Sequence, residues 1–299
     1  VVLWGCENPL EVENPNKLTQ ENVTSPEAYG AAVGASRNNL ARAAMGMLSI
    51  MNNATDQSFW IGSRDAWGAL DQGNISDPTN EFTDITWPAV GQARFAADQA
   101  IILGEQFQSE GTLPSTELLA EAYLYGGTLY TLIADTWHRY VLPEDLLDPN
   151  TPGQPVPPGD MPGLYDTAIG YLTSGLDVVA SGTETEAQLL AMRARARQAK
   201  QIRLQIQSGS PTSPGIVASP QAAADAQAAL ALGGVAAQSG LQGWTFELAF
   251  QDGLLEITCE SWAPMVWSRG ELQLGDEFGT ANDYFVLADE SKAVAGVKL

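Results

Sequence analysis

The chain has 299 residues, of which 44% are hydrophobic, and it carries 36 acidic against 14 basic residues. This length and composition suffice for one large domain or two small ones with a buried core. The formal net charge of −22 disfavours binding to nucleic-acid phosphates and to anionic lipid headgroups. Salt screens the self-repulsion of such a surface, so the composition is compatible with a saline habitat.

Few residue types suited to metal or nucleophilic chemistry are present. The two cysteines, Cys6 and Cys259, provide neither a disulfide framework nor zinc-ligand spacing. A single histidine, His138, argues against a His-based triad or a His-rich metal site. The sequence has no nucleophile elbow, no H-E-x-x-H, no P-loop and no dinucleotide fingerprint. We therefore predict no catalytic residue, no metal ligand and no cofactor.

The first residues contain a candidate lipidation site. Leu3, Trp4 and Gly5 precede Cys6 in a pattern that resembles a bacterial lipoprotein cleavage site, although Trp4 replaces the usual small residue. We expect residues 1–5 to be a signal-peptide remnant and Cys6 to be acylated, which would anchor the chain to a membrane through lipid alone. The alternative is an ordinary cysteine near a ragged terminus. Residues 6–24 contain two Asn-Pro steps and predict an extended leader.

Apolar periodicity and capping residues predict six helices. Their predicted bounds are Ser25–Met51, Asp84–Gln108, Ser115–Trp137, Gly163–Val179, Thr185–Ile206 and Ser219–Ala237. Between them, residues 52–83 are predicted to be a long polar loop, and residues 143–162 a stiff proline-rich loop. Residues 244–258 alternate around Asp252-Gly253 and predict a small β-hairpin near the C-terminal end.

The third predicted helix should be the centre of the fold. Ser115 is placed to cap its first turn, and an apolar stripe runs along it to Trp137. Gly126 and Gly127 cost helix propensity, so we expect them to allow a neighbouring helix to approach closely.

The fifth predicted helix is the most basic part of the chain. Its five basic side chains point all around the helix, and we expect them to pair with the acidic surroundings rather than to form an anion site; they are Arg193, Arg195, Arg197, Lys200 and Arg203.

Tryptophans outside the helix stripes are candidate ligand platforms, because their flat faces can stack on sugar rings. Four tryptophans meet this criterion: Trp60, Trp67, Trp262 and Trp267. The alternative for each of them is an ordinary core position.

Four segments, taken in order, resemble the SusD/RagB family of outer-membrane nutrient-binding lipoproteins. They are Cys6 with ENPLEVENPN, Trp87–Ile101 (WPAVGQARFAADQAI), the run from Ala120 to Trp137 with the proline loop after it, and Ser268–Asp276 (SRGELQLGD). The chain departs from the family where Leu124–Gly127 stand in place of a typical arginine, and it is shorter than typical members.

The resemblance implies a mainly α-helical domain of tetratricopeptide-like helix pairs with long loops over residues 25–299, with an incomplete C-terminal part. It implies a lipid-anchored protein on the cell surface, at the outer membrane. Such a protein binds a glycan or a peptide and passes it to a TonB-dependent, SusC-like transporter. One alternative is a helical-repeat scaffold that binds another protein and no small molecule. Another is a polysaccharide hydrolase with two carboxyls facing each other across a cleft.

Overall fold

The computed structural model describes residues 25–55, 58–60, 65–146, 151–209, 217–232 and 285–287. The described chain is mainly helical, which confirms the predicted fold class. After a 3-10 turn at Pro26–Ala28, its helices are α1 (Tyr29–Ala54), α2 (Asp65–Asp71), α3 (Glu81–Glu110), α4 (Thr116–Thr136), α5 (Pro162–Val178), α6 (Glu184–Gln207) and α7 (Pro220–Leu232). Its strands are β1 (Ser58–Trp60), β2 (Tyr140–Pro143), β3 (Pro152–Val156) and β4 (Phe285–Leu287).

Side-chain caps define the start of the two long central helices. Asn80 Oδ1 accepts hydrogen bonds from the backbone N–H groups of Phe82 and Thr83, and it thereby starts α3 three residues earlier than predicted. Ser115 Oγ accepts from Glu117 N and Leu118 N, so the predicted cap of α4 is confirmed. The earlier start of α3 places Pro88 inside the helix, where its missing N–H leaves the Asp84 carbonyl without its helical donor.

Helix α4 lies at the centre of the core, as its sequence predicts. It contacts α1, α3, α5 and α6. Its residues from Ala122 to Ala134 are buried on every face, so the helix is enclosed rather than buried along one stripe. Close approach at its two adjacent glycines is also confirmed. A Cβ built on Gly126 would lie 2.6 Å from Ile101 Cδ1 of α3, and one on Gly127 would lie 2.4 Å from Leu172 Cγ of α5.

Tertiary pairing organises two segments that were predicted to be loops. Within residues 52–83, β1 pairs antiparallel with β4 and α2 packs nearby. Within the proline-rich segment, β2 and β3 form an antiparallel hairpin. The expectation of a polar loop and of a stiff proline-rich loop is wrong at these strands, because strand pairing depends on residues distant in sequence. The hairpin predicted at residues 244–258 lies outside the described residues.

Four of the five basic residues of α6 pair with acids, as predicted. Arg193 and Arg197 both bind Asp225 of α7, with N–O distances of 2.8 and 2.6 Å. Arg195 binds Asp135 at 2.6 Å, and Lys200 binds Asp166. The remaining basic residue of the set, Arg203, donates to the Ala134 carbonyl at 3.2 Å. These contacts connect α6 to α4, α5 and α7.

Candidate functional site

The described tryptophans among the predicted ligand platforms belong to a small second core. Trp67 is 1% exposed and stacks on Phe82 with a ring-centroid distance of 3.9 Å. Trp60 is half-buried against the same cluster, and its backbone N–H donates to Asp71 Oδ1 at 3.1 Å. Trp67 therefore presents no open face to a ligand in this arrangement. Trp262, Trp267 and Cys6 lie outside the described residues.

A different aromatic residue faces an open groove. The groove lies between the first half of α3 and strand β2, has a volume of about 740 Å³, and is hereafter called the α3–β2 groove. This volume is in the range of small-molecule sites, roughly 300–1,000 Å³. The lining residues are Asn39, Trp87, Pro88, Gly91, Gln92, Arg94, Phe95, Ala96, Tyr140, Val141 and Pro143.

Trp87 is the principal aromatic surface of the groove. It is 41% exposed, although its position in a periodic apolar segment predicts a buried anchor. Trp87 and Trp137 pack edge to face, with their ring centroids 4.9 Å apart and their ring planes at 84°. Tyr140 packs on Trp87 at 5.2 Å. These two neighbours pack on the indole and restrict its orientation, so the exposed part of Trp87 is held in place before a ligand binds.

Uncharged polar groups border this aromatic face. Asn39 Nδ2 donates to the Ala35 carbonyl at 2.9 Å, which leaves its amide oxygen available as an acceptor. Gln92 is exposed on α3, one turn from Trp87 and Pro88, and it has no hydrogen-bond partner in the described part of the chain. A side-chain amide offers both donors and an acceptor, which suits hydroxyl groups.

Arg94 lines the groove and belongs to a buried ion pair. Arg94 is 5% exposed, and its Nη1 donates to Asp98 Oδ2 at 2.7 Å and to the Leu146 carbonyl at 2.9 Å. Asp98 is fully buried and also accepts from the hydroxyls of Tyr130, at 3.0 Å, and Tyr171, at 3.1 Å. Burial raises the pKa of Asp98, against the opposing effect of Arg94 and the two hydroxyls. Every oxygen of this carboxylate is hydrogen-bonded, as a buried charge requires.

Tyr140 completes the wall beside Trp87. It is 3% exposed, and burial raises its pKa to about 12. Tyr140 is therefore a neutral phenol at physiological pH.

One sequence signal could have located this site. The segment Trp87–Ile101 stands out by its resemblance to the SusD/RagB family, but Trp87 lies within a helix stripe and is therefore not among the predicted ligand platforms.

The described ranges contain neither a membrane-spanning helix nor a metal-binding cluster. Among these helices, none is both long enough and apolar enough to cross a bilayer. Within the same ranges, no group of three or more His, Cys, Asp or Glu side chains is arranged to hold a metal ion.

Comparisons with protein-family models, with curated proteins and with solved structures find no significant match to this chain. The resemblance to the SusD/RagB family therefore stays a prediction that depends on the sequence segments quoted above.

Proposed function

We propose that this chain is a cell-surface lipoprotein that binds a glycan in the α3–β2 groove and delivers it to a TonB-dependent outer-membrane transporter. The observation that carries the binding part is the exposed, immobilised ring of Trp87 in a groove of about 740 Å³. An aromatic face with amide side chains beside it is the combination that binds a sugar ring, because the ring offers an apolar face and a rim of hydroxyls. The protein is proposed to be a binding protein and not an enzyme.

The binding proposal is tested with purified full-length chain and a panel of oligosaccharides, measured by isothermal titration calorimetry. Trp87→Ala should weaken binding at least about tenfold, which corresponds to ~1.4 kcal/mol. Ile85→Ala is the matched control, because Ile85 is 56% exposed on the same helix but does not line the groove. Equal affinity of the wild type and Trp87→Ala would remove the groove from the proposal. Helical circular dichroism checks that both variants are folded.

The anchoring and transporter parts need cellular experiments. Cys6→Ser should release the protein from membranes, and unchanged membrane retention would contradict the lipid anchor. A pull-down from detergent-solubilised outer membranes should recover a large TonB-dependent β-barrel in near-equal amount. Recovery of other proteins in its place would favour the scaffold alternative.

One structural observation favours that alternative as a second candidate. Apolar side chains are exposed at the end of α6 and just before α7, at Leu204, Ile206 and Val217, where the Val217 N–H donates to Gln205 Oε1 at 3.1 Å. Exposed apolar patches commonly mark protein-binding surfaces. If this surface binds the physiological partner, Leu204→Asp with Ile206→Asp should abolish recovery of that partner, while Trp87→Ala should leave it unchanged.

A further inference from the structure

The charges at the α3–β2 groove restrict the class of glycan that it can bind, provided that the proposed function holds. Of its lining residues only Arg94 carries a charge, and the others are apolar, aromatic or amide side chains. An acidic saccharide, with uronate or sulfate groups, needs an uncompensated cation to offset the loss of water around its charge. The decisive question is whether Arg94 can serve as that cation.

Arg94 is already neutralised. Its guanidinium donates to the carboxylate of Asp98 at 2.7 Å, and this carboxylate is fully buried. The Leu146 carbonyl accepts a second hydrogen bond from the same nitrogen, Nη1, at 2.9 Å. A ligand carboxylate that approached Arg94 would therefore meet a pair of zero net charge, with the negative partner a few ångströms behind it.

Asp98 cannot move aside to release Arg94. The hydroxyls of Tyr130 on α4 and Tyr171 on α5 both donate to it; Asp98 and Tyr130 are buried, and Tyr171 is partly buried. The tyrosine rings themselves pack edge to face at 5.6 Å. Moving the carboxylate would take the shared acceptor away from Arg94, Tyr130 and Tyr171 and leave buried donors without a partner, which is unfavourable.

Arg94 nevertheless remains useful to a neutral ligand. Its Nε and Nη2 atoms have no hydrogen-bond partner in the described part of the chain, and the side chain lines the groove. These N–H groups can donate to a sugar hydroxyl. Asn39 Oδ1 can accept from a hydroxyl, and the Gln92 amide can donate or accept. The net charge of −22 adds a general repulsion against polyanions.

We infer that the groove selects neutral oligosaccharides and rejects uronate-containing and sulfated ones, because the buried Asp98 cancels the charge of Arg94. Because Arg94 already has an anionic partner within the protein, the groove offers no free positive charge to an acidic ligand.

The test compares two sets of probes by calorimetry on the full chain at 0.1 M and 1 M NaCl. The neutral set contains glucan, mannan, xylan and galactan oligomers, and the acidic set contains alginate, polygalacturonate and sulfated galactan oligomers. At least one neutral oligomer should bind tenfold or more tightly than every acidic one, with an affinity that NaCl leaves unchanged. An acidic oligomer that binds equally well or better, or a neutral affinity that falls with salt, overturns the inference. Absence of binding to both sets overturns the proposed glycan function itself, which is a separate failure.

One added charge tests the mechanism directly. Gln92→Lys places an uncompensated cation at an exposed position in the groove and should raise affinity for polygalacturonate oligomers at least tenfold at 0.1 M NaCl, with the gain lost at 1 M. Gln108→Lys makes the same substitution at an exposed position of α3 outside the groove, and it should leave affinity unchanged. No gain with Gln92→Lys, or an equal gain with Gln108→Lys, would show that charge in the groove does not set selectivity.

Discussion

Replacing Gly127 by alanine should destabilise the fold, because α4 and α5 touch at this residue. The added Cβ would lie 2.4 Å from Leu172 Cγ, 2.8 Å from Leu172 Cδ2 and 3.1 Å from the Ala168 carbonyl oxygen. Carbon atoms prefer separations of about 3.5–4.0 Å. The overlap with Leu172 therefore exceeds 1 Å, and the backbone oxygen nearby restricts how the two helices can adjust.

The change in the free energy of unfolding that Gly127→Ala causes is the sum of two opposing contributions. Overpacking of a core costs about 1–3 kcal/mol, and the contact with backbone puts this site near the upper end. Alanine regains about 1 kcal/mol of helix propensity over glycine. The free energy of unfolding should fall by ~2 kcal/mol. With a urea m-value near 3 kcal/mol/M, the unfolding midpoint would fall by about 0.7 M.

The assay is urea unfolding followed by circular dichroism at 222 nm. Gly170→Ala is the matched control on α5, because no atom lies within 4 Å of a Cβ built there. It should stabilise the protein by about 0.5–1 kcal/mol through helix propensity alone. A midpoint for Gly127→Ala equal to or above that of the wild type, with Gly170→Ala raised as expected, would refute the close-packing argument.

Three further outcomes are expected. Burial raises the pKa of seven of the chain's eight tyrosines above the usual value of 10, so the unfolded chain loses these protons first and the free energy of unfolding should fall as pH rises from 10 through 12. Absorbance at 295 nm should show that these seven phenols ionise together with the loss of helix. Their titration near pH 10 in the native protein would contradict this expectation. Asp225→Asn should lower the free energy of unfolding in urea by about 2 kcal/mol, because Arg193 and Arg197 both lose a partner that is 8% exposed. Asp166→Asn should lower it by less than about 1 kcal/mol, because the Asp166 side chain is 60% exposed. Equal losses would count against a stabilising role of the α6–α7 ion pairs. The melting temperature should rise between 0.1 M and 1 M NaCl and equally in KCl, because screening weakens the repulsion of 22 excess negative charges, and a flat or falling curve would show that this repulsion does not limit stability.

Sequence reasoning predicted the helices well and the exposure of the individual tryptophans poorly, and the two results have one physical origin. Helix α4 is specified by local features: the Ser115 cap, the spacing of its apolar residues and the small residues at mid-length. Each of these acts within a few residues along the chain. The start of α3 was misplaced by three residues, because Asn80 had not been recognised as its cap.

Exposure of an aromatic ring depends instead on what packs beside it. Trp67 stacks on Phe82, 15 residues away in sequence, while Trp87 lies over Trp137 and Tyr140 at the edge of the groove. Both are tryptophans in mixed polar and apolar surroundings, and no local pattern distinguishes them. The same limit applies to Arg94 and Asp98, whose spacing of four residues is visible in the sequence but whose burial is not.

By itself, the sequence determined the helical class, the central helix, its glycine contact and the pairing of four of the five basic residues of α6 with acids. These follow from periodicity, capping and charge balance, which act over short distances. Only the tertiary structure decided which aromatic face is open and which cation is neutralised. Both depend on contacts of α3 side chains with Tyr130 of α4, Tyr171 of α5 and Tyr140 of β2, which lie far from α3 along the chain.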